Sequence, residues 1–526
     1  MAHSQPHPII SSIKMNIRIS LIARRFLPLF ILLTCGAVCP LSAALQPASL
    51  FQDGMVLQRD KPIAIWGSDL PNTVISIQLG EGLFETLSDE NGHWQLSTTP
   101  MKASFEPLKM HIRGSSEVTL TDILIGEVWI ASGQSNMVWT IQRSEDTEFE
   151  VNGNDFSAIR EFLVARTVAE THQDSVNGKW LQANADNIAN FSAVAHYFAR
   201  DLQAVEKVPV GIILTAWGGT RIEAWMSPAS LQEDTFSHTL KNWQQVLADY
   251  PENHARHLEQ RQAWQAERDS ARQENRPFNR PAPRPPLGPG SPQTPSGLYH
   301  SMIHPLSPFT IRGFLWYQGE SNVSQADEYH ARFSRMIEDW RLLWKDETLP
   351  FYWVQLSSFR ANDPHASAWA FLREAQTQTR ILPHTGQVLC YDIGDAFDIH
   401  PQNKRTLGRR LARIALNQIH GHDFEWQGPE ATSIKKKNAA YHIHFAHADS
   451  GLRTTDATLQ GFQLAGQDRV FHDALATIEG SSVIVQSPLV VEPVAVRFGW
   501  TNVIPAKLYN QSWLPALPFR SDDWAE

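Results

Sequence analysis

Cysteine is scarce in this 526-residue chain, with three in all: Cys35, Cys39 and Cys390. So few exclude a disulfide-built scaffold. No long basic stretch is present, and 45 Lys and Arg against 55 Asp and Glu give a formal charge of −10. That balance argues against a nucleic-acid backbone as the main partner. No hydrophobic run reaches the roughly 20 residues that span a bilayer. Charged residues make up only 19% and apolar ones 42%, which excludes a largely disordered chain. No internal repeat of fixed period is visible. The nucleophile elbow Gly-x-Ser-x-Gly is also missing, because Met137 stands where its last glycine belongs. Its absence disfavours the α/β-hydrolase fold.

What is present begins at the N-terminus. Lys14, Arg18, Arg24 and Arg25 precede the apolar run 26–33, and Ser42-Ala43-Ala44 follows. This order predicts a secretory leader over residues 1–44. It implies a secreted or periplasmic protein with no membrane attachment after cleavage. The leader carries four basic residues and no acid, so its removal deepens the negative charge by four. Cys35 and Cys39 leave with it. Cys390, in the apolar run Val388-Leu389-Cys390-Tyr391, then reads as a small buried core residue.

The remaining length exceeds one ordinary core and divides by pattern. Residues 45–120 alternate with period two, as at Ile63/Ile65, Ile75/Ile77/Leu79, Trp94/Leu96 and Leu108/Met110/Ile112. They predict a small antiparallel β domain. Over 121–425 short apolar runs (123–131, 208–215, 311–317, 387–393) alternate with amphipathic stretches. Val194, Ala195, Phe198 and Leu202 share one helical face, as do Leu407, Leu411 and Ile414. Strands alternating with helices predict an α/β/α domain built on a parallel sheet. Within it, 228–297 is an insertion: a charged helix over 230–275 burying Trp243, Val246 and Leu247, then eight prolines from Pro277 to Pro295. Such a proline run is an extended surface excursion. Alternation returns over 426–526, predicting a C-terminal β-rich region.

Each apolar run leads into polar groups suited to acyl transfer. The first precedes Gly133-Gln134-Ser135-Asn136, and the second Trp217-Gly218-Gly219-Thr220. The third precedes Gln318-Gly319-Glu320-Ser321-Asn322, and the fourth Asp398-Ile399-His400-Pro401. Ligands of open α/β sheets bind at the carboxyl ends of the strands, so four such clusters converge on one crevice. Ser135 is then the candidate nucleophile, His400 its base, and Asp398 the carboxylate that orients the imidazole. The backbone N–H groups of Ser135 and Gly219 and the side-chain amide of Gln318 are candidate oxyanion donors. Gly218 and Asn322 are candidate supporting residues. Glu320 reads as a charge partner that positions its loop. No metal and no cofactor is required.

These motifs carry a resemblance. Together with Leu50-Phe51-Gln52-Asp53-Gly54-Met55, Glu223-Ala224-Trp225-Met226 and Leu298-Tyr299-His300-Ser301-Met302, the chain resembles the sialate O-acetylesterase family. That family is a branch of the SGNH (GDSL-like) hydrolases and related to acetylxylan esterases. The resemblance implies an SGNH-type three-layer domain flanked by N- and C-terminal β-rich regions. It also implies a serine esterase that removes acetyl groups from sugar hydroxyls. Some related acetylxylan esterases give the glutamate of the Gln-Gly-Glu motif the triad role, so Glu320 competes with Asp398. The insertion here is shorter, helical and proline-rich where larger members carry a β module.

Two rival readings remain at this level. A metal-dependent deacetylase would use His442, His444 and His447, although no carboxylate nearby has ligand spacing. A non-catalytic sugar-binding protein would use the 18 Trp as stacking faces. Within the esterase reading the substrate is an O-acetylated sugar or glycan. A sialic acid carboxylate calls for a cation such as Arg221, whereas a xylan pocket would be neutral and aromatic.

Overall fold

One continuous strand of 17 residues, β1 (Glu117–Gly133), links the two patterns read from the sequence. Its first half alternates between exposed and half-buried positions, and its second half is buried throughout. The first half belongs to an antiparallel sheet with one wet face, and the second to a parallel sheet covered on both. The computed structural model describes residues 45–145, 147–152, 156–361 and 367–524. The expected leader lies outside these residues. Residue 120, where a domain boundary was expected, falls inside β1, so the two regions share a strand.

Ahead of β1, Ser104–Arg113 pairs antiparallel with it and Val56–Gln58 pairs parallel with it at Leu124–Gly126. Val74–Leu79 and Gly82–Leu87 form an adjoining hairpin. The apolar partners named above in this region are buried, except Leu108, which is partly so.

The central sheet continues with β2 (Phe156–Leu163), β3 (Trp180–Ala183), β4 (Val210–Ala216), β5 (Gly313–Tyr317), β6 (Phe351–Val354) and β7 (Thr385–Val388). Their order is β3-β2-β4-β1-β5-β6-β7. All neighbours are parallel except the edge pair β3–β2. The expected parallel sheet is therefore present, with one antiparallel edge.

Helices α1 (Ala193–Glu206) and α5 (Lys404–Gln418) pack on one face, and α3 (Ala326–Trp344) and α4 (Ala368–Gln378) on the other. The predicted stripes of α1 and α5 are buried against the sheet. Ser192 caps α1, and Asn403 caps α5 by accepting from the Thr406 N–H at 3.0 Å. A side-chain oxygen at this position satisfies one of the unpaired N–H groups of the first turn. The α5 cap follows the His400 loop directly, which gives that loop a fixed end.

The insertion differs from expectation. Helix α2 (Ser237–Gln273) runs for 37 residues, but its buried residues are His257 and Ala271. Trp243 and Val246 are only half-buried and Leu247 is exposed. The helix is polar on every side, so it has no apolar stripe to commit to a core. The proline segment folds back on it: Trp264 Nε1 donates to the Arg280 carbonyl at 2.9 Å.

After residue 425 two four-stranded antiparallel sheets enclose a third core, with Ile443, Phe462, Val485 and Phe498 inside. His442 and His444 lie on the strand Ala440–Ala446, where His444 Nδ1 meets Ser482 Oγ at 3.2 Å. Among the described residues no group of three His, Cys, Asp or Glu is arranged to hold a metal. None of their helices is long and apolar enough to cross a membrane. Cys390 is buried, and its thiol donates to the Gln355 carbonyl.

Candidate active site

Strands β4, β1 and β5 end level, with Ala216 and Tyr317 both opposite Gly133. Two backbone bonds tie the loops beyond them: Gln134 N–H donates to Tyr317 O at 2.9 Å, and Trp217 N–H to Gly133 O at 3.0 Å. Ser135, Gly218-Gly219 and the Gln-Gly-Glu motif therefore leave the sheet side by side. The loop after β7 brings in the fourth cluster.

Ser135 Oγ lies 2.9 Å from His400 Nε2. On the other side of the ring, Asp398 Oδ1 is 3.4 Å from His400 Nδ1 and also accepts the His400 backbone N–H at 2.8 Å. Trp139 stacks on the imidazole, with ring centroids 4.7 Å apart and planes 17° from parallel. The Arg143 guanidinium in turn lies 3.7 Å from the Trp139 ring centroid. His400 is held below its ordinary value, chiefly by burial. Asp398 opposes that shift, while Lys404 and Arg143 add to it. A neutral imidazole is the form that accepts a proton. His400 and Asp398 line a cavity of about 400 Å³ together with Glu145, Asp395 and Asn403.

Gly218 packs against the serine: a Cβ there would come within 3.2 Å of Ser135 Cβ. Gly219 has φ +76°, a left-handed conformation that favours glycine. A side chain on it would meet nothing within 4 Å, so it faces open space. Among the described residues, neither the Ser135 nor the Gly219 N–H donates to a protein acceptor. The loops that meet at Ser135 and Gly218 thus each offer a donor left free by the described residues. Gln293, at the end of the proline segment, clamps this loop by donating to Gly219 O and accepting from Arg221 N–H.

Gln318 departs from the expectation of a third oxyanion donor. Its Nε2 donates to Asn322 Oδ1 at 2.7 Å and to Thr220 O at 3.1 Å, and the residue is fully buried. Its Oε1 accepts from Tyr329 at 2.7 Å. An amide has two N–H donors, and both are committed inside the protein. Asn322 extends this chain, donating to Glu223 at 2.9 Å and accepting from Ile222 N–H. Glu223 is paired with the buried Arg332. Gln318 and Asn322 therefore brace the loop from behind.

Glu320 does not meet His400. Its Oε1 accepts from Asn136 Nδ2 at 2.6 Å, while Oε2 is buried without a partner from another described residue. Burial raises its carboxyl above the usual range, against the bond from its own backbone N–H, the Asn136 bond and the charge of Lys404. Asn136 also donates to Ile399 O at 3.0 Å and accepts from Lys404 Nζ at 2.6 Å. Asn136, Trp139 and Lys404 were missed in the sequence. Only the closeness of Asn136 and Trp139 to Ser135, and of Lys404 to His400, could have flagged them.

Two residues beyond Gly219, Arg221 is exposed. Arg166 lies 6.0 Å from the Trp217 ring centroid. Neither guanidinium has an acceptor among the described residues.

The family described as carbohydrate esterase, sialic acid-specific acetylesterase matches residues 125–277 and 291–417. The sialate O-acetylesterase of Mus musculus is 30% identical over 427 residues, 74% of this chain and 76% of that protein. That of Rattus norvegicus is 29% identical over 523 residues, 90% of this chain and 93% of that one. The crystal structure of a carbohydrate acetylesterase from Xanthomonas citri superposes with a TM-score of 0.78 at 34% identity. That match covers 91% of this chain and 100% of the other.

Proposed function

Because this chain belongs to the sialic acid-specific acetylesterase family of carbohydrate esterases and is a carbohydrate O-acetylesterase, we propose that it deacetylates O-acetylated sialic acid through a Ser135 acetyl-enzyme. Ser135 Oγ attacks the acetyl carbonyl as its proton passes to His400 Nε2. The Ser135 and Gly219 N–H groups hold the oxyanion, and Asp398 stabilises the imidazolium. The tetrahedral intermediate collapses, and the sugar oxygen leaves with the proton from His400. Water then attacks the acetyl-enzyme, giving its proton to His400. Acetate leaves, and the proton returns to Ser135. The observation that carries this reading is the 2.9 Å contact between Ser135 Oγ and His400 Nε2, with the Ser135 and Gly219 N–H groups unpaired among the described residues.

The preference for sialic acid is supported by Arg221 and Arg166, two cations near the Gly219 loop without acceptors among the described residues. A sugar carboxylate pairs with a guanidinium in two-point fashion. The reading also includes export, with residues 1–44 as a cleaved leader. A fluorophosphonate probe should label the wild type and not Ser135→Ala. Acetate release should be faster from 9-O-acetylated sialic acid than from acetylated xylan. An unlabelled wild type, or Ser135→Ala with full activity, refutes the mechanism. A preference for xylan refutes the substrate assignment alone.

A further inference from the structure

Lys404 is the first residue of α5 and is completely buried. A helix N-terminus carries the positive end of the backbone dipole, so it is the least favourable end for a cation. Loss of hydration adds to the cost. A site that needed only filling would be better served by Met or Leu.

The contacts of the ammonium show what it does instead. It donates to Asn136 Oδ1, and the Asn136 amide donates onward to Glu320 Oε1 and Ile399 O. One asparagine thereby joins the loops after β1, β5 and β7, two of which carry Ser135 and His400. Lys404 Nζ also lies 5.2 Å from the Tyr317 ring centroid and 5.9 Å from that of Trp139, the ring stacked on His400.

We propose that Lys404 is a positioning residue of the esterase reaction: through Asn136 it holds the Ser135 and His400 loops in register. Its charge also works against protonation of His400. The inference rests on the Ser135–His400 mechanism above. His400 faces Asp398 on its own loop, Lys404 from α5 and Arg143 from the turn after Trp139, while Glu145 and Asp395 line the shared cavity. Lys404 itself faces Glu320, Asp398 and Cys390, and burial pushes it down to about 7. It therefore stays charged across the acid range in which His400 titrates.

The test uses the full chain and p-nitrophenyl acetate, with kcat and KM measured against pH for the wild type, Lys404→Met, Lys404→Ala and Ser135→Ala. Rates are normalised to the folded fraction by circular dichroism. Lys404→Met should lower kcat about 10- to 100-fold through misplacement of reacting groups, with KM changed by less than about threefold. Its acid limb should move to higher pH, since the charge opposing protonation of His400 is gone. Methylammonium should restore part of the activity of Lys404→Ala. Wild-type kcat with an unmoved limb overturns the proposal, as does failure of both Lys404 variants to fold, which would make the role structural. Ser135→Ala at wild-type activity would instead sink the mechanism on which the proposal rests.

Discussion

Replacing Asp398 by alanine separates the two carboxylates that compete for the third place beside Ser135 and His400. Asp398 Oδ1 is 3.4 Å from His400 Nδ1, and its side chain is 44% exposed. Coulomb attraction at that distance is about 1 kcal/mol at the permittivity of water and about 5 kcal/mol at an effective value of 20. Partial exposure places the pair towards the lower end, at roughly 1–3 kcal/mol. Asp398→Ala should therefore reduce kcat/KM by about 10- to 100-fold, well short of the loss in Ser135→Ala. The shift has a sign as well. Asp398 is the group that raises His400 against burial, so its removal lowers the imidazole further and moves the acid limb of kcat/KM to lower pH. Acetate release in a pH-stat between pH 4 and 8 reads both quantities. Wild-type kcat/KM in Asp398→Ala, with a collapse in Glu320→Gln, would refute the assignment and make Glu320 the functional carboxylate.

Glu320→Gln should keep kcat/KM within about tenfold of the wild type, because the amide oxygen still accepts from Asn136 and no charge on His400 is lost. In the wild type the acid limb of kcat/KM should lie below the ordinary imidazole value of 6.5, since His400 is lowered; a limb above that value would contradict the burial argument. Gln293→Ala frees the Gly219 loop and should lower kcat about 3- to 10-fold, less than the loss of a whole oxyanion donor, while fluorophosphonate labelling of Ser135 persists. Glu161 tests stability rather than catalysis. Burial raises its carboxyl from 4.5 to about 8, with the Ser192 N–H bond opposing. The folded state therefore binds more protons than the unfolded one between these values. The stability it confers is complete below 4.5 and is lost as pH rises to 8, by about 3–5 kcal/mol. Thermal melts of Glu161→Gln should match the wild type near pH 4.5 and exceed it at pH 8.

The parts of this molecule that were legible in the sequence are those decided by near neighbours along the chain. Ile75, Ile77 and Leu79 alternate because a strand buries every second residue. Leu407, Leu411 and Ile414 recur because one helical face meets the sheet. The candidate clusters were legible because each follows an apolar run that can only be a central strand, and parallel strands deliver their ends to one edge. Helix α2 shows the limit of this logic. Its spacing suggested a buried face at Trp243, Val246 and Leu247, yet periodicity does not reveal whether a partner surface exists, and here Leu247 is left exposed. Gln318 shows another. An amide beside a candidate nucleophilic serine is chemically suited to an oxyanion, but its donors go to Asn322, in the same loop, and to Thr220, in the loop after β4, and only the assembled loops show that choice. Lys404 lies furthest from sequence reasoning. A lysine at the start of an amphipathic helix reads as solvent-exposed, and only the assembled loops show that Asn136, Glu320 and the His400 loop close over it. Apolar burial is an additive, local preference and leaves a periodic trace. A buried polar hub is satisfied only by partners from several loops at once, so its trace appears when those loops have already met.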